Sequence, residues 1–240
     1  MDDISTTLDA LEARIQTACD AARRDRGDVT LVAASKTVPP EWIREAFDAG
    51  VRDFGENKVQ EAAAKIPLSP SAIRWHFIGH LQSNKARLAI QLFHTLHAVD
   101  SIALIETLSA LSEQSGLRPA MMLHVNLAAE ASKSGIAEDA LFPCVEAALA
   151  SPLPLTGLMT LPPFDPNPEN SRAYFARLRE LRDRAEREFG ISLPHLSMGM
   201  SHDFEAAIME GATHIRVGTL LFGNRPKPPK PQRDPDTDDF

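Results

Sequence analysis

The sequence is poor in the residues that build disulfide-bonded, zinc-binding or membrane-spanning proteins. Its 240 residues include two cysteines, Cys19 and Cys144. They lie far apart, each in a helical pattern, which excludes a disulfide framework and the paired spacing of a zinc site. No apolar run approaches the length of a transmembrane helix, and the acidic start Met1-Asp2-Asp3 does not resemble a signal sequence. We therefore expect a cytoplasmic protein that does not enter a membrane.

Positive charge is also scarce. The chain has 25 lysines and arginines against 33 aspartates and glutamates, a formal net charge of −8. This balance disfavours nucleic acid as a partner, because binding a phosphate backbone requires clustered cations.

What the sequence does contain is one pattern repeated eight times, a short apolar run followed by a helical segment. The predicted strands are residues 29–35, 51–55, 73–78, 95–99, 120–126, 155–159, 195–198 and 214–217. Eight strands alternating with helices over about 220 residues predict an α/β fold, a single-domain (β/α)8 TIM-type barrel. A doubly wound open sheet is the alternative, although it rarely contains eight short strands so evenly spaced.

The two ends of the chain lie outside this repeat. Residues 3–24 predict an extra N-terminal helix before the first strand, because apolar residues recur there at helical spacing. Residues 226–240 are rich in proline and predict a disordered tail. We therefore expect one barrel domain over residues 1–225.

Lys36 is the only one of the seven lysines that ends a predicted strand. The carboxyl ends of barrel strands carry the active sites of such folds. Burial there can lower the pKa of a lysine and make its amine a nucleophile toward a carbonyl group. A solvated lysine at a strand end is the alternative.

The turns after the last two strands have the composition of a phosphate site. Gly199 and Ser201 follow strand seven, and Gly218 and Thr219 follow strand eight. Glycines allow the backbone to approach an anion, and hydroxyl groups donate hydrogen bonds to it. Because this rim also carries Lys36, the pattern favours a phosphorylated carbonyl ligand held as a Schiff base. Ordinary turn residues are the alternative.

Arg216 lies within strand eight among apolar residues, so it needs a partner or a ligand. Pyridoxal phosphate offers a ring nitrogen that proteins pair with Asp or Arg. A buried ion pair with a carboxylate is the alternative. Asn57, after strand two, either contacts a ligand or caps the next helix. His76 and His80 are too widely spaced along a strand for easy chelation and are expected to have no carboxylate or third ligand nearby, so we predict no metal site.

Six motifs, in this order, resemble the pyridoxal phosphate homeostasis proteins, also called the YggS or proline synthase co-transcribed type. The resemblance covers nearly all of residues 5–225. The motifs are Ala33-Ala34-Ser35-Lys36-Thr37, Phe54-Gly55-Glu56-Asn57, His76-Phe77-Ile78-Gly79-His80-Leu81-Gln82, Ser132-Lys133-Ser134-Gly135, Gly157-Leu158-Met159 and Leu196-Ser197-Met198-Gly199-Met200-Ser201.

The resemblance implies a barrel similar to the N-terminal domain of alanine racemase, with the cofactor pyridoxal 5'-phosphate bound covalently to Lys36. The further contacts that it implies are Asn57, Met159, Ser201, Arg216, Gly218 and Thr219. It implies a protein that binds and buffers the cofactor and hands it to apoenzymes, without established catalytic turnover or catalytic residues. We expect a monomer, because the second domain that gives the racemases their dimer contacts is missing.

Two positions depart from the family. His202 stands where Asp is common, and Lys58 stands where Tyr is frequent.

Two enzymatic functions remain as alternatives, an amino-acid racemase and a Schiff-base aldolase. Racemisation needs an acid or base on each face of the substrate carbon. The only tyrosine, Tyr174, lies in an arginine-rich outer helix, although a histidine such as His80 could replace it. An arginine at the ring nitrogen would also leave that nitrogen unprotonated and a weak electron sink.

Overall fold

Eight parallel strands form a closed barrel in the computed structural model, which describes residues 3–128 and 134–223. The strands are β1 (Thr30–Ala34), β2 (Asp53–Glu56), β3 (Arg74–Phe77), β4 (Thr95–Val99), β5 (Ala120–His124), β6 (Leu155–Met159), β7 (His195–Met200) and β8 (His214–Val217). Each strand pairs with its neighbours in sequence, and β8 returns to β1 with Arg216 opposite Val32. The predicted barrel is confirmed, and the open sheet is wrong because its first and last strands would not pair.

The helices surround this barrel. They are α1 (Ile4–Ala21), α2 (Pro40–Asp48), α3 (Val59–Lys65), α4 (Ala86–Leu92), α5 (Ile102–Ser115), α6 (Leu141–Leu149), α7 (Arg172–Phe189), α8 (Phe204–Met209) and α9 (Thr219–Phe222). None of the described helices combines the length and the apolar character that crossing a membrane would require. The predicted tail, residues 226–240, lies outside the described residues, and the domain boundary stays a prediction.

The extra N-terminal helix α1 is confirmed. Its apolar residues recur every three or four positions, so one face is buried against the barrel helices. Asp3 caps the helix by accepting a hydrogen bond from the Ser5 N–H. Beyond its end, Arg24 donates to the carbonyl oxygens of Ile208 and Ala212 and thereby ties α1 to the α8–β8 connection.

The structure contradicts one of the two roles predicted for Asn57 in the turn after β2, the capping of the next helix. The N-cap position of α3 is Lys58, and no side chain caps the helix there. Asn57 lies one residue earlier, in the turn itself, so its predicted capping role is wrong. The turn is held in place by Gly79, where an added Cβ would lie 2.3 Å from the Asn57 carbonyl oxygen.

The inside of the barrel is more polar than such barrels usually are. Layers of Val, Ile and Leu normally fill this space. Here the buried polar side chains of β2, β3, β4, β7 and β8 meet instead, in order Asp53, His76, His97, Ser197, His214 and Arg216. The apolar core therefore lies mainly between the strands and the helices, which leaves the barrel axis available for charged groups.

Candidate functional site

A cavity of about 410 Å³ opens at the carboxyl end of the barrel. Six of the eight residues predicted for the site line it: Lys36, Asn57, Ser201, Arg216, Gly218 and Thr219. Parallel strands present their carboxyl ends on one rim, which explains how residues so distant in sequence come together.

Met159 and Gly199 do not line the cavity. Met159 is buried in a small apolar cluster with Ala98 and Met122, packed against Leu161, which does line the cavity. Gly199 has a φ of 89°, and an added Cβ would lie 2.6 Å from the Ala207 Cβ. Its position is therefore set by the close packing of α8 on β7.

The turns after β7 and β8 meet at the cavity. The Gly218 N–H donates to the Ser201 Oγ over 3.2 Å. The β7 turn is closed in addition by the Met200 N–H, which donates to Asp203 Oδ1 over 2.7 Å. Two hydroxyls, those of Ser201 and Thr219, are thus brought to one side of the cavity.

Lys36 projects from a backbone segment that α3 holds on both sides. Lys65 Nζ donates to the Ser35 carbonyl oxygen over 2.8 Å, and the Thr37 N–H donates to Glu61 Oε1. Lys65 is the last residue of α3, and its side chain is buried. Its partners come from strand ends, which local sequence does not reveal.

A buried ion pair lies behind this segment. Lys65 Nζ lies 2.7 Å from Glu56 Oε1, which also accepts a hydrogen bond from the Ser35 hydroxyl over 2.6 Å. Glu56 Oε2 is buried without a hydrogen-bond partner in the described structure, and burial raises the pKa of this carboxyl group. The buried Glu56 carboxylate therefore depends on Lys65 for its counter-charge.

We expect Lys65→Met to destabilise the protein by about 3–5 kcal/mol, because Glu56 would then be buried without a counter-charge. Urea unfolding at neutral pH measures the change. The double variant Glu56→Gln, Lys65→Met removes both charges and is expected to recover about half of the loss. A single variant within about 1 kcal/mol of the parent protein would show that the ion pair is dispensable.

Arg216 is buried, and its guanidinium group lies in the cavity wall. Nη1 donates to the Ser197 Oγ over 2.6 Å, and Nη2 donates to the Thr160 carbonyl oxygen over 2.9 Å. Burial lowers the pKa of Arg216 to about 10, so the group remains charged at neutral pH. Among the described residues no carboxylate forms a salt bridge with it, so the predicted alternative of a buried ion pair is wrong.

The histidines considered for a metal site have other partners. His76 Nε2 lies 2.9 Å from Asp53 Oδ1, so the expectation that no carboxylate is near was wrong. His80 is exposed and pairs with Asp100 at the surface. Within residues 3–128 and 134–223, no group of three His, Cys, Asp or Glu side chains is arranged to hold a metal ion.

The two departures from the family pattern lie near the mouth of the cavity. His202 lines it, and its Nε2 donates to the Asp165 carbonyl oxygen over 2.9 Å, with the Phe164 ring beside it. Lys58 is exposed at the start of α3. The departures therefore change the rim and leave the Lys36 and Arg216 geometry intact.

Comparison with known proteins decides the family. Residues 6–226 match the model of the alanine racemase N-terminal domain. The chain is 46% identical over 230 residues to the pyridoxal phosphate homeostasis protein of Pseudomonas aeruginosa, an alignment that covers 94% of this chain and 97% of that protein. This chain belongs to the pyridoxal phosphate homeostasis protein family.

Other members of the pyridoxal phosphate homeostasis protein family agree with this assignment. The protein of Aquifex aeolicus is 45% identical over 214 residues, covering 88% of this chain and 94% of that protein. The structure of PipY from Synechococcus elongatus with PLP bound superposes with a TM-score of 0.81 at 37% identity, covering 92% of this chain and all of that chain. The resemblance seen in the sequence motifs is confirmed.

Proposed function

We propose that this chain binds pyridoxal 5'-phosphate through a Schiff base on Lys36 and acts in the intracellular homeostasis of that cofactor, in the cytoplasm. One observation carries the proposal: a lysine, a buried charged arginine and two hydroxyl-bearing turns share a single cavity. Relatives are named for pyridoxal phosphate homeostasis, and the PipY structure contains PLP, which supports the same ligand here.

The residues present fit this cofactor. The cavity volume of about 410 Å³ lies within the range of small-molecule sites. The Arg216 guanidinium has five N–H donors, of which two bond other described residues, and it can donate a further hydrogen bond to the ring nitrogen. The Ser201 and Thr219 hydroxyls can donate to the phosphate group, and Gly218 has no side chain to prevent its close approach to the backbone.

Lys36 supplies the covalent bond. Its amine would hold the cofactor, because a lysine amine can condense with an aldehyde and release one water molecule. When bound, the cofactor brings a conjugated ring that can accept electrons. The Lys36 backbone is held by α3, so the amine is presented to the cavity from a fixed point.

Three other residues complete the proposed site. Asn57 lines the cavity beside the lysine and can hydrogen-bond the ring substituents. Met159 shapes the wall from the layer behind Leu161. Gly199 allows the β7 turn to pack closely on α8, which sets the position of Ser201.

The proposed role is that of a carrier without established turnover, and no residue is assigned as catalytic. Relatives are named as homeostasis proteins. Tyr174, the residue type that a racemase would use on the second face, lies on α7 and does not line the cavity. An arginine at the ring nitrogen would keep that nitrogen unprotonated, which weakens carbanion stabilisation.

We extend the proposal to partners and assembly. Apoenzymes that require pyridoxal phosphate would be the recipients of the cofactor, and residues 1–225 would carry its binding. We propose a monomer, which light scattering on the loaded protein measures directly.

Borohydride trapping tests the proposed function. Pyridoxal phosphate added to the purified protein is expected to give a visible imine band, and reduction adds hydride to the imine carbon and fixes the label. Peptide mapping is expected to find the label on Lys36. The exposed Lys58, beside the same cavity, is the internal control and is expected to stay unlabelled. A label spread over several lysines would contradict the proposal.

The enzymatic alternatives give different results in the same preparation. A protein that stays colourless with added pyridoxal phosphate favours an aldolase. Exchange of the α-hydrogen of alanine in deuterated water, dependent on Lys36, favours a racemase.

A further inference from the structure

A chain of hydrogen bonds crosses the barrel interior and ends at Arg216. Asp53 Oδ1 lies 2.9 Å from His76 Nε2, and His76 Nδ1 lies 2.9 Å from His97 Nε2. His97 Nδ1 lies 2.8 Å from the Ser197 Oγ, which lies 2.6 Å from Arg216 Nη1. The far end is anchored near the opposite face of the barrel, where the exposed Arg74 pairs with Asp53.

The chemistry at the two ends fixes the direction of the bonds made there. Arg216 can only donate, so the Ser197 oxygen accepts from it, and an ionised carboxylate such as Asp53 can only accept. One arrangement of protons continues this direction through the chain: Ser197 donates to His97 Nδ1, His97 donates from Nε2 to His76 Nδ1, and His76 donates from Nε2 to Asp53. Burial raises the pKa of the Asp53 carboxyl group, but the hydrogen bonds from His76 and Arg74 outweigh this effect and lower the pKa to about 2. Burial lowers the pKa of His97 well below its ordinary value.

Hydrogen bonds that all run in one direction polarise one another. The Ser197 oxygen at the end of such a chain is a stronger acceptor than an isolated serine. It fixes the plane of the Arg216 guanidinium together with the Thr160 carbonyl oxygen. The cavity is thereby provided with a charged donor whose orientation is set from the other side of the barrel.

We propose that Asp53, His76, His97 and Ser197 are positioning residues that orient Arg216 toward the ring nitrogen of the bound cofactor. The inference rests on the proposed function, because it concerns how the same site recognises the ring of the cofactor. It goes further in assigning roles to four residues that do not line the cavity.

A double-mutant cycle between the two ends of the chain tests the proposal. Ser197→Ala is expected to weaken cofactor binding about tenfold, because a charged donor loses its acceptor. Asp53→Asn keeps the shape, removes the charge and is expected to weaken binding about threefold. Asp53 and Ser197 share no hydrogen bond, yet the double variant is expected to match Ser197→Ala alone, since the chain is already cut.

Nitrogen NMR of cofactor labelled at the ring nitrogen gives a readout that a general loss of stability would not move. Both single variants are expected to shift this resonance in the same direction. His195→Gln is the matched control, because His195 packs on His214 in the same barrel and lies outside the chain. It is expected to leave the resonance unchanged.

Two results would overturn the inference: an unshifted resonance in Asp53→Asn, or a double variant about thirtyfold weaker, the product of independent effects. Should Ser197→Ala fail to fold, His97→Gln cuts the same chain at its centre and replaces it in the cycle. Failure of the proposed function can be distinguished from failure of this inference, because in the first case the unmodified protein itself would form no imine.

Discussion

Lys36→Ala is expected to abolish the visible imine band and the borohydride label completely. The variant removes the only proposed nucleophile and leaves Arg216, Ser201 and Thr219 in the same cavity. Pyridoxal phosphate is therefore expected to bind weakly, without a covalent bond, and to be lost on gel filtration. The spectrum of the bound fraction is expected to be that of the free aldehyde.

Two further variants test whether the band requires an amine that forms an imine or only a positive charge near the cavity. Lys36→Arg retains a cation but cannot form an imine with the aldehyde, so it is expected to behave like Lys36→Ala. Lys58→Ala removes an exposed lysine close to the same cavity and is expected to keep the full band. A Lys36→Ala protein that retained the band would locate the covalent bond elsewhere and remove the basis of the proposed site.

Acid is expected to unfold the protein at a pH where most carboxylates are still ionised. Burial lowers the pKa of His214 to about 3 and that of His124 to about 4, and it keeps the pKa of His97 well below its ordinary value. Such a histidine binds its proton first in the unfolded chain. Its contribution to stability is fully present above about pH 6.5 and is lost as the pH falls.

The expected size follows from proton counting. Each of the three histidines contributes up to about 1.4 kcal/mol per pH unit, and the slope is about half of that at pH 6.5, so together they remove about 5 kcal/mol between pH 6.5 and 5. That is comparable with the whole free energy of unfolding of an ordinary domain. Glu56 acts with the opposite sign, because burial raises its pKa, and it offsets part of the loss.

Urea unfolding at several pH values between 7 and 5 measures this slope. His124→Gln removes one of the three groups and is expected to lower the slope by about a third. A protein equally stable at pH 7 and pH 5 would contradict the expectation.

The fold could be predicted from the sequence because each strand and each helix has a recognisable local pattern of apolar residues. Apolar runs such as residues 95–99 are short, evenly spaced and separated by helical periodicity. The position of Lys36 at the end of the first run was enough to place it on the functional rim, since all parallel strands end there. The cavity confirmed that Arg216 lies on the same rim.

The polar chain inside the barrel could not be predicted, because its members meet only through pairing across strands. His97 and Ser197 are 100 residues apart and touch across the barrel. An irregular register in β4 and another in β7 change which residues point inward there, so simple alternation does not identify them. Each histidine taken alone is an ordinary core residue.

The choice between a ligand and an ion pair for Arg216 was also beyond the sequence. It depends on which carboxylates lie near the guanidinium, and such distances exist only in the folded chain. The same holds for the burial of Lys65, whose partners Ser35 and Glu56 are 30 and 9 residues away.

The backbone on both sides of Lys36 is anchored, so the groups that stabilise the fold there are different from the side chain that would bind the cofactor. Residues 35 and 37 are each fastened to α3, while the lysine between them reaches the cavity through its flexible side chain. If Lys36 holds the cofactor as proposed, loading and unloading would require only a movement of its four-carbon side chain and the exit or entry of water. The proposed carrier could then bind and release its cofactor while the backbone around the lysine stays in place.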